Sequence, residues 1–276
     1  MKIGFIDYYL DEWHANAYPG WFRQIDPSME VSYAYAMIDS PKGGLTTDEW
    51  CERNNVQRCF SIDELVEKSD VITILSPDNC EFHEALCQIP LRSGKRVYID
   101  KTFAPNAEIG QRIFDLANKF HTPCYSTSAL RFAKEYLELD RKQIVGIASV
   151  GGDGFEIYVI HQLEPVIMLM QTPVKRVMAM STTEFYTLIL EFTDGRLATI
   201  NGYPHGFPYI LNVAFNNGQN REVAAKEDFF IPFIKELVRF YKDGIIPVSQ
   251  EETLQIMAAR GAAAEALKHP GIWINI

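Results

Sequence analysis

The run Val97-Tyr98-Ile99-Asp100-Lys101-Thr102-Phe103-Ala104-Pro105 places an acid and a lysine at the exit of a short apolar segment. Such a segment predicts a buried strand. A lysine at the carboxyl end of a buried strand stands where open α/β sheets bind their ligands. An ordinary surface lysine after a strand is the plainer alternative. A second informative run is Asp7-Tyr8-Tyr9-Leu10-Asp11-Glu12-Trp13-His14-Ala15. It follows the first predicted strand, where a dinucleotide fold normally carries G-x-G-x-x-G. There the glycines let the backbone approach a diphosphate and the helix N-terminus faces its charge. Here no glycine is present, and Asp7, Asp11 and Glu12 bring carboxylates to that place. Asp11 and Glu12 suit an N-cap and a first-turn acid. The run therefore reads either as an acidic helix cap or as a modified cofactor site.

Other residues could do chemistry at neighbouring strand ends. Asp39 is expected to close the second strand, where an acid accepts hydrogen bonds from a ribose hydroxyl. It would also repel a 2′-phosphate and so favour NAD over NADP, although nearby Lys42 weakens that preference; a simple turn residue is the alternative. Ser76-Pro77-Asp78 ends the strand predicted over residues 71–75, beside the crevice of the sheet. His161 lies within the apolar run Ile157-Tyr158-Val159-Ile160, so a core histidine with a backbone partner competes with a base. The six histidines show no metal-ligand spacing, and neither Ser126 nor Ser128 has a G-x-S-x-G context. No metal site is expected.

The elements that must position these residues alternate in the first half. Strands are expected at residues 2–7, 31–39, 71–75, 96–100 and 123–126, with helices at 12–25, 48–54, 62–68, 83–94 and 106–120. Thr47 and Ser61 suit helix caps, as does Asp78 or Asn79 ahead of Cys80. This order predicts a doubly wound, mostly parallel sheet covered on both faces. The second half changes character. Strands at 144–150, 175–181, 185–192, 197–202 and 209–215 come with a helical turn or two at 163–170 and helices at 228–241 and 251–267. Gly151-Gly152-Asp153-Gly154 reads as a turn and Thr193-Asp194-Gly195-Arg196 as a hairpin. An α+β domain with an open, mainly antiparallel sheet is expected. The boundary falls at 126/127, giving domains 1–126 and 127–276.

Composition narrows the partners. The chain has 276 residues, 47% of them hydrophobic, and a net charge of −10. That balance argues against a nucleic-acid or anionic-membrane surface as the main partner. No apolar run approaches the ~20 residues that span a bilayer, and no basic leader precedes the first strand. The five cysteines, an odd number with no C-x-x-C pair, read as reduced core thiols in a cytoplasmic protein.

The order of the 71–75 strand, the helical run after it, the Asp100-Lys101 exit, a further helix and strand, and Ser128-Ala129-Leu130-Arg131-Phe132 resembles the glucose–fructose oxidoreductase / inositol dehydrogenase (GFO/IDH/MocA) oxidoreductases. In that family the matching strand usually ends in Glu-Lys-Pro, and its lysine is catalytic. The resemblance implies a Rossmann-like domain followed by an open-sheet domain that pairs with another subunit, as a homodimer or higher oligomer. It implies an NAD(P)-dependent oxidoreductase acting on a sugar, cyclitol or related polyol. Lys101 and His161 would be catalytic, although Ile157 replaces the acid of the family's D-x-x-x-H, with Glu164 as a possible substitute. Asp7, Tyr8, Leu10, Asp39, Ser76, Pro77, His83 and Asp100 would border the cofactor; for His83 a satisfied helix histidine is as good a reading. Arg131, Tyr158 and Glu164 would meet a small-molecule substrate, although Arg131 could instead pair within the protein. The missing glycines and the missing acid favour an alternative: a non-catalytic ligand-binding or regulatory protein on the same scaffold.

Overall fold

The structure, a computed structural model, describes every residue except Lys42, Asp153 and Phe207. The influence of Lys42 on cofactor choice and the Asp153 part of the expected glycine turn lie outside the described residues. Two compact units are present: residues 1–104, 108–127 and 234–250 form the first, and 105–107, 128–233 and 251–276 the second.

The first unit is built on strands β1 (Lys2–Asp7), β2 (Glu30–Ala36), β3 (Gln57–Arg58), β4 (Val71–Ile74), β5 (Val97–Ile99) and β6 (Cys124–Tyr125). They form one parallel sheet in the order β3-β2-β1-β4-β5-β6. The order reverses between β1 and β4, which is the switch point where ligands bind outside the strand ends. Helices α1 (Trp13–Ile25), α2 (Thr47–Asn54), α3 (Ile62–Lys68), α4 (His83–Leu86) and α5 (Ala107–Lys119) connect the strands. Their starts are chemically marked. Thr46, one residue before the expected cap, makes a full capping box with Glu49. Ser61 caps α3 as its sequence predicts. Neither Asp78 nor Asn79 caps a helix. A 3-10 turn at Cys80–Phe82, the short α4 and a second 3-10 turn at Pro90–Arg92 replace the continuous run expected over 83–94. Gly4 matters for packing: a Cβ there would lie 2.3 Å from Ser69 Oγ and 2.5 Å from Leu65 Cδ2, so only glycine lets α3 lie this close to β1.

The second unit contains β7 (Ile144–Gly152), β8 (Val174–Ser181), β9 (Tyr186–Phe192), β10 (Leu197–Tyr203), β11 (Ile210–Phe215), β12 (Asn220–Ala224) and β13 (Ile274–Asn275). Their order is β12-β11-β7-β10-β9-β8-β13. The sheet is mainly antiparallel as expected, with one parallel pair, β7 and β10. Gly151 and Gly152 continue β7 instead of turning. The β9–β10 hairpin turns at Gly195, whose φ of +86° favours glycine. The helices are α6 (Lys134–Leu137), α7 (Phe155–Tyr158), α8 (Ile160–Met170), α9 (Phe230–Asp243) and α10 (Gln250–Lys268). α8 begins at Ile160, so the 157–161 run is helical and His161 stands in a first helical turn.

The last half of α9 belongs to the first unit. Tyr241 donates to Ile72 O at 3.0 Å and lies 2.8 Å from Thr73 Oγ1. Arg96 Nη1 donates to Tyr241 O at 2.6 Å. The chain thus returns to cover the central strands of the parallel sheet long after leaving it.

Candidate active site

The parallel register brings the ends of β1, β4 and β5 to one edge, so Asp7, Ser76, Asp100 and Lys101 gather there. Asp7 is 1% exposed. Its Oδ1 accepts from Ser76 N at 3.0 Å and Ser76 Oγ at 3.2 Å, whereas Oδ2 is buried without a hydrogen-bond partner. Burial pushes the Asp7 acid well above the usual carboxylate range, against the Ser76 and Tyr8 hydrogen bonds and with the charge of Asp100 adding to the rise. Ser76 sits at φ +64°, in the left-handed region, and its Oγ accepts from Tyr8 N at 2.8 Å.

Lys101 is 5% exposed. Its ammonium donates to Pro77 O at 3.1 Å and lies 3.8 Å from Asp78 Oδ1. Pro77 O is its one hydrogen-bond acceptor among the described residues, although an ammonium carries three donors. The Lys101–Thr102 peptide is cis, and Thr102 Oγ1 is buried without a partner.

The loop after β1 is where dinucleotide chemistry must be tested. Glu12 is the N-cap of α1, accepting from His14 N at 2.7 Å and from Ala15 N. Asp11 accepts from Leu45 N at 2.8 Å. Burial, and then the charge of Asp7, push the Glu12 acid well above its usual range. The N–H groups that would meet a diphosphate are occupied by the chain's own carboxyl group, and no glycine opens the backbone. These residues do not fit a dinucleotide diphosphate at the start of α1.

Several expected contacts are corrected. Asp39 lies three residues beyond the end of β2, and its carboxylate accepts from Thr47 N at 2.7 Å and Thr47 Oγ1 at 2.9 Å. Those bonds hold its acid below the usual range, the Thr47 N–H first. It ties the start of α2 instead of closing a strand. His83 is fully buried, with Nδ1 3.0 Å from Phe103 O and Nε2 2.5 Å from Leu75 O, so both ring nitrogens face backbone carbonyls and the ring braces the fold. Tyr8 stacks on Phe82 at 4.1 Å, and Leu10 is buried. Asp100 is 1% exposed and fully engaged. Its Oδ1 accepts from Tyr98 OH at 3.0 Å and Lys101 N at 2.8 Å, and its Oδ2 pairs with His14 Nδ1. Burial alone would raise the Asp100 acid, but His14 and then Lys101 outweigh it and hold it below its usual range. An ordered histidine beside that acid was not legible in the sequence; only the spacing of His14 and Tyr18 on one helix face hinted at it.

In the second unit, His161 Nδ1 lies 2.7 Å from Ser128 Oγ, and its ring neighbours Tyr158 and Tyr209 at 6.0 and 5.7 Å. Arg131 and Glu164 turn out to serve each other. Arg131 Nε donates to Glu164 Oε1 at 2.7 Å and Nη2 pairs with Glu252, while Glu164 Oε2 accepts from Ser128 N at 2.7 Å. Both are buried, and the guanidinium is paired with two carboxylates of the protein. Glu252 is the member that the sequence did not single out, and Ser128 had no partner assigned there.

No protein-family profile matches the chain, and no curated protein matches it in sequence. Solved structures do match in fold. Myo-inositol dehydrogenase from Lactobacillus casei, in complex with NAD(H) and myo-inositol, superposes with a TM-score of 0.83 at 12% identity, covering 100% of this chain and 97% of that one. Scyllo-inositol dehydrogenase from the same organism, with NAD(H) and scyllo-inositol, gives 0.80 at 14%, covering 99% and 98%. UDP-N-acetylglucosamine 3-dehydrogenase from Acidithiobacillus ferrooxidans gives 0.77 at 15%, covering 97% and 98%. The chain therefore has the two-part fold of these dehydrogenases, the fold that the GFO/IDH/MocA resemblance implies. Among the described residues no helix is long and apolar enough to cross a membrane, and no group of His, Cys, Asp or Glu could hold a metal ion.

Proposed function

We propose that the protein is an oxidoreductase that oxidises a carbinol carbon of a sugar, cyclitol or related polyol, with a nicotinamide dinucleotide as the hydride acceptor. The fold shared with inositol and sugar dehydrogenases supports the class. One observation carries it: a buried ammonium, Lys101, at the ligand edge of a doubly wound sheet, with a single hydrogen-bond acceptor among the described residues. A buried charge with unused donors is completed by an oxygen ligand.

In this reading Lys101 holds the substrate hydroxyl and stabilises the oxygen as its proton leaves. The resemblance gives the proton to His161, whose ring Ser128 orients. The first unit serves the cofactor and the second the substrate, with Tyr158 at the substrate side. Asp39 keeps its charge and favours NAD over NADP. The diphosphate seats away from the N-terminus of α1, because Glu12 fills it. The protein works in the cytoplasm, and its open second sheet pairs with another copy, which light scattering would detect as a mass near twice that of one chain.

The test is NADH formation on a panel of inositols and sugars, with wild type against Lys101→Ala. Turnover should fall ~100-fold or more while circular dichroism stays unchanged. Equal turnover would remove Lys101 from the mechanism. No calorimetric binding of NADH or NADPH at millimolar concentration would favour the non-catalytic reading.

A further inference from the structure

We propose that His14, held by Asp100, is a catalytic proton acceptor of this site; the inference rests on the oxidoreductase reading above and assigns the proton to a residue of the first unit. Three observations carry it. First, the imidazole, packed by Trp13 and Tyr18, is hydrogen-bonded through one nitrogen only among the described residues. Nδ1 faces Asp100 Oδ2, Tyr18 OH lies 3.1 Å from the same nitrogen, and the Tyr18 ring stacks on the imidazole at 5.1 Å and 20°. Nε2 makes no hydrogen bond among the described residues, and the His14 side chain keeps 11% exposure.

Second, the orienting carboxylate is itself held rigidly. Tyr98 OH and Lys101 N donate to Asp100 Oδ1, and Ser126 Oγ donates to its carbonyl at 3.1 Å. A carboxylate on Nδ1 fixes the tautomer that leaves Nε2 as the acceptor and stabilises the imidazolium that forms. Third, the same carboxylate binds the imidazole and the backbone of Lys101. The imidazole and the backbone of Lys101 are thus tied to one fixed group at the strand ends, and the charge of Lys101 acts on that carboxylate.

The step balances without further reagents. The O–H bond of a ligand hydroxyl breaks, an N–H bond forms at His14 Nε2, and the electron pair stays on oxygen beside the Lys101 ammonium. The groups facing His14 are Asp100 and Tyr18 by direct contact, with Glu12 on its backbone N–H. Asp7 and Tyr98 stand behind Asp100.

The experiment uses the polyol that wild type oxidises. His14→Gln should lower kcat ~100-fold or more, leave KM within about threefold and alter the pH profile of kcat. His161→Gln should leave the shape of that profile in place. Because removing His14 leaves Asp100 buried and unpaired, wild type is also modified with diethyl pyrocarbonate and mapped by mass spectrometry. Ethoxyformylation at His14 should remove turnover in proportion, and hydroxylamine should restore it. Full turnover with His14 modified, or a His14→Gln variant with unchanged kcat and pH profile, overturns the assignment while leaving the oxidoreductase reading standing. Absence of wild-type turnover on every polyol overturns both.

Discussion

At the scale of single residues, the site is unusual in its carboxyl groups. Asp7 is buried with one oxygen unpartnered, and burial raises its acid well above the ordinary 3.8. The sign of the consequence is opposite to that of a salt-bridged aspartate. The native state holds a proton that the unfolded chain releases first, so stability falls as pH climbs from near the ordinary value toward the folded one. Asp7→Asn cannot titrate. Its stability should gain on wild type as pH rises above about 4, by up to ~1.4 kcal/mol per pH unit while the native acid stays protonated; a gap independent of pH would show that Asp7 is not the source. Arg131 makes the reverse case. Arg131→Met leaves Glu164 buried without its cation, and urea melts should show a loss of ~3–5 kcal/mol. A loss under ~1 kcal/mol, the range of exposed pairs, would mean that the pair is solvated. The buried thiols Cys51 and Cys59 are pushed up to about 11, and Cys124 to about 12, each by burial. They should resist DTNB in the native protein and react on unfolding, a difference read directly by absorbance.

At the scale of elements, the start of α1 decides how this fold is used. A helix N-terminus is an anion site because its first N–H groups lack partners and its dipole is positive there. Glu12 fills that place from within the chain, its side chain accepting from His14 N and Ala15 N. A ligand phosphate would have to displace it from both donors, and any charge it carries would add a repulsion of ~1 kcal/mol or more at about 4 Å. Glu12→Ala should therefore bind NADH ~10-fold more tightly or better in titration calorimetry. If the variant binds no better than wild type, the carboxyl group is not what keeps a diphosphate from this helix.

At the scale of the whole molecule, the chain builds two sheets of different construction. The first follows the doubly wound order, so its strand ends converge at the reversal between β1 and β4. The second is broad and mixed, and its strands alternate buried and half-exposed residues, as in β9. Residues 234–250 return to the first unit, where Tyr241 closes over Ile72 and Thr73. Tyr241→Phe removes two buried hydrogen-bond partners. It should cost ~1–3 kcal/mol in denaturant melts, and a neutral result would show that this closure is apolar alone.

The sequence by itself determined the alternation of strands and helices, the exit of Lys101 from a buried strand, the acidic loop at the start of α1 and the hairpin at Gly195. These are local properties, fixed by side-chain periodicity, caps and backbone conformations within a few residues. Tertiary structure alone decided that His14 meets Asp100, 86 residues away, that Ser76 binds Asp7 across 69 positions, and that Arg131 reaches Glu252 across 121. Strand order and crossovers bring such groups together, and no short window of sequence encodes them. In a linear reading the resemblance makes Arg131 a substrate ligand and Glu164 a substitute for the acid missing at Ile157. In three dimensions burial forces each charge to find the nearest opposite one.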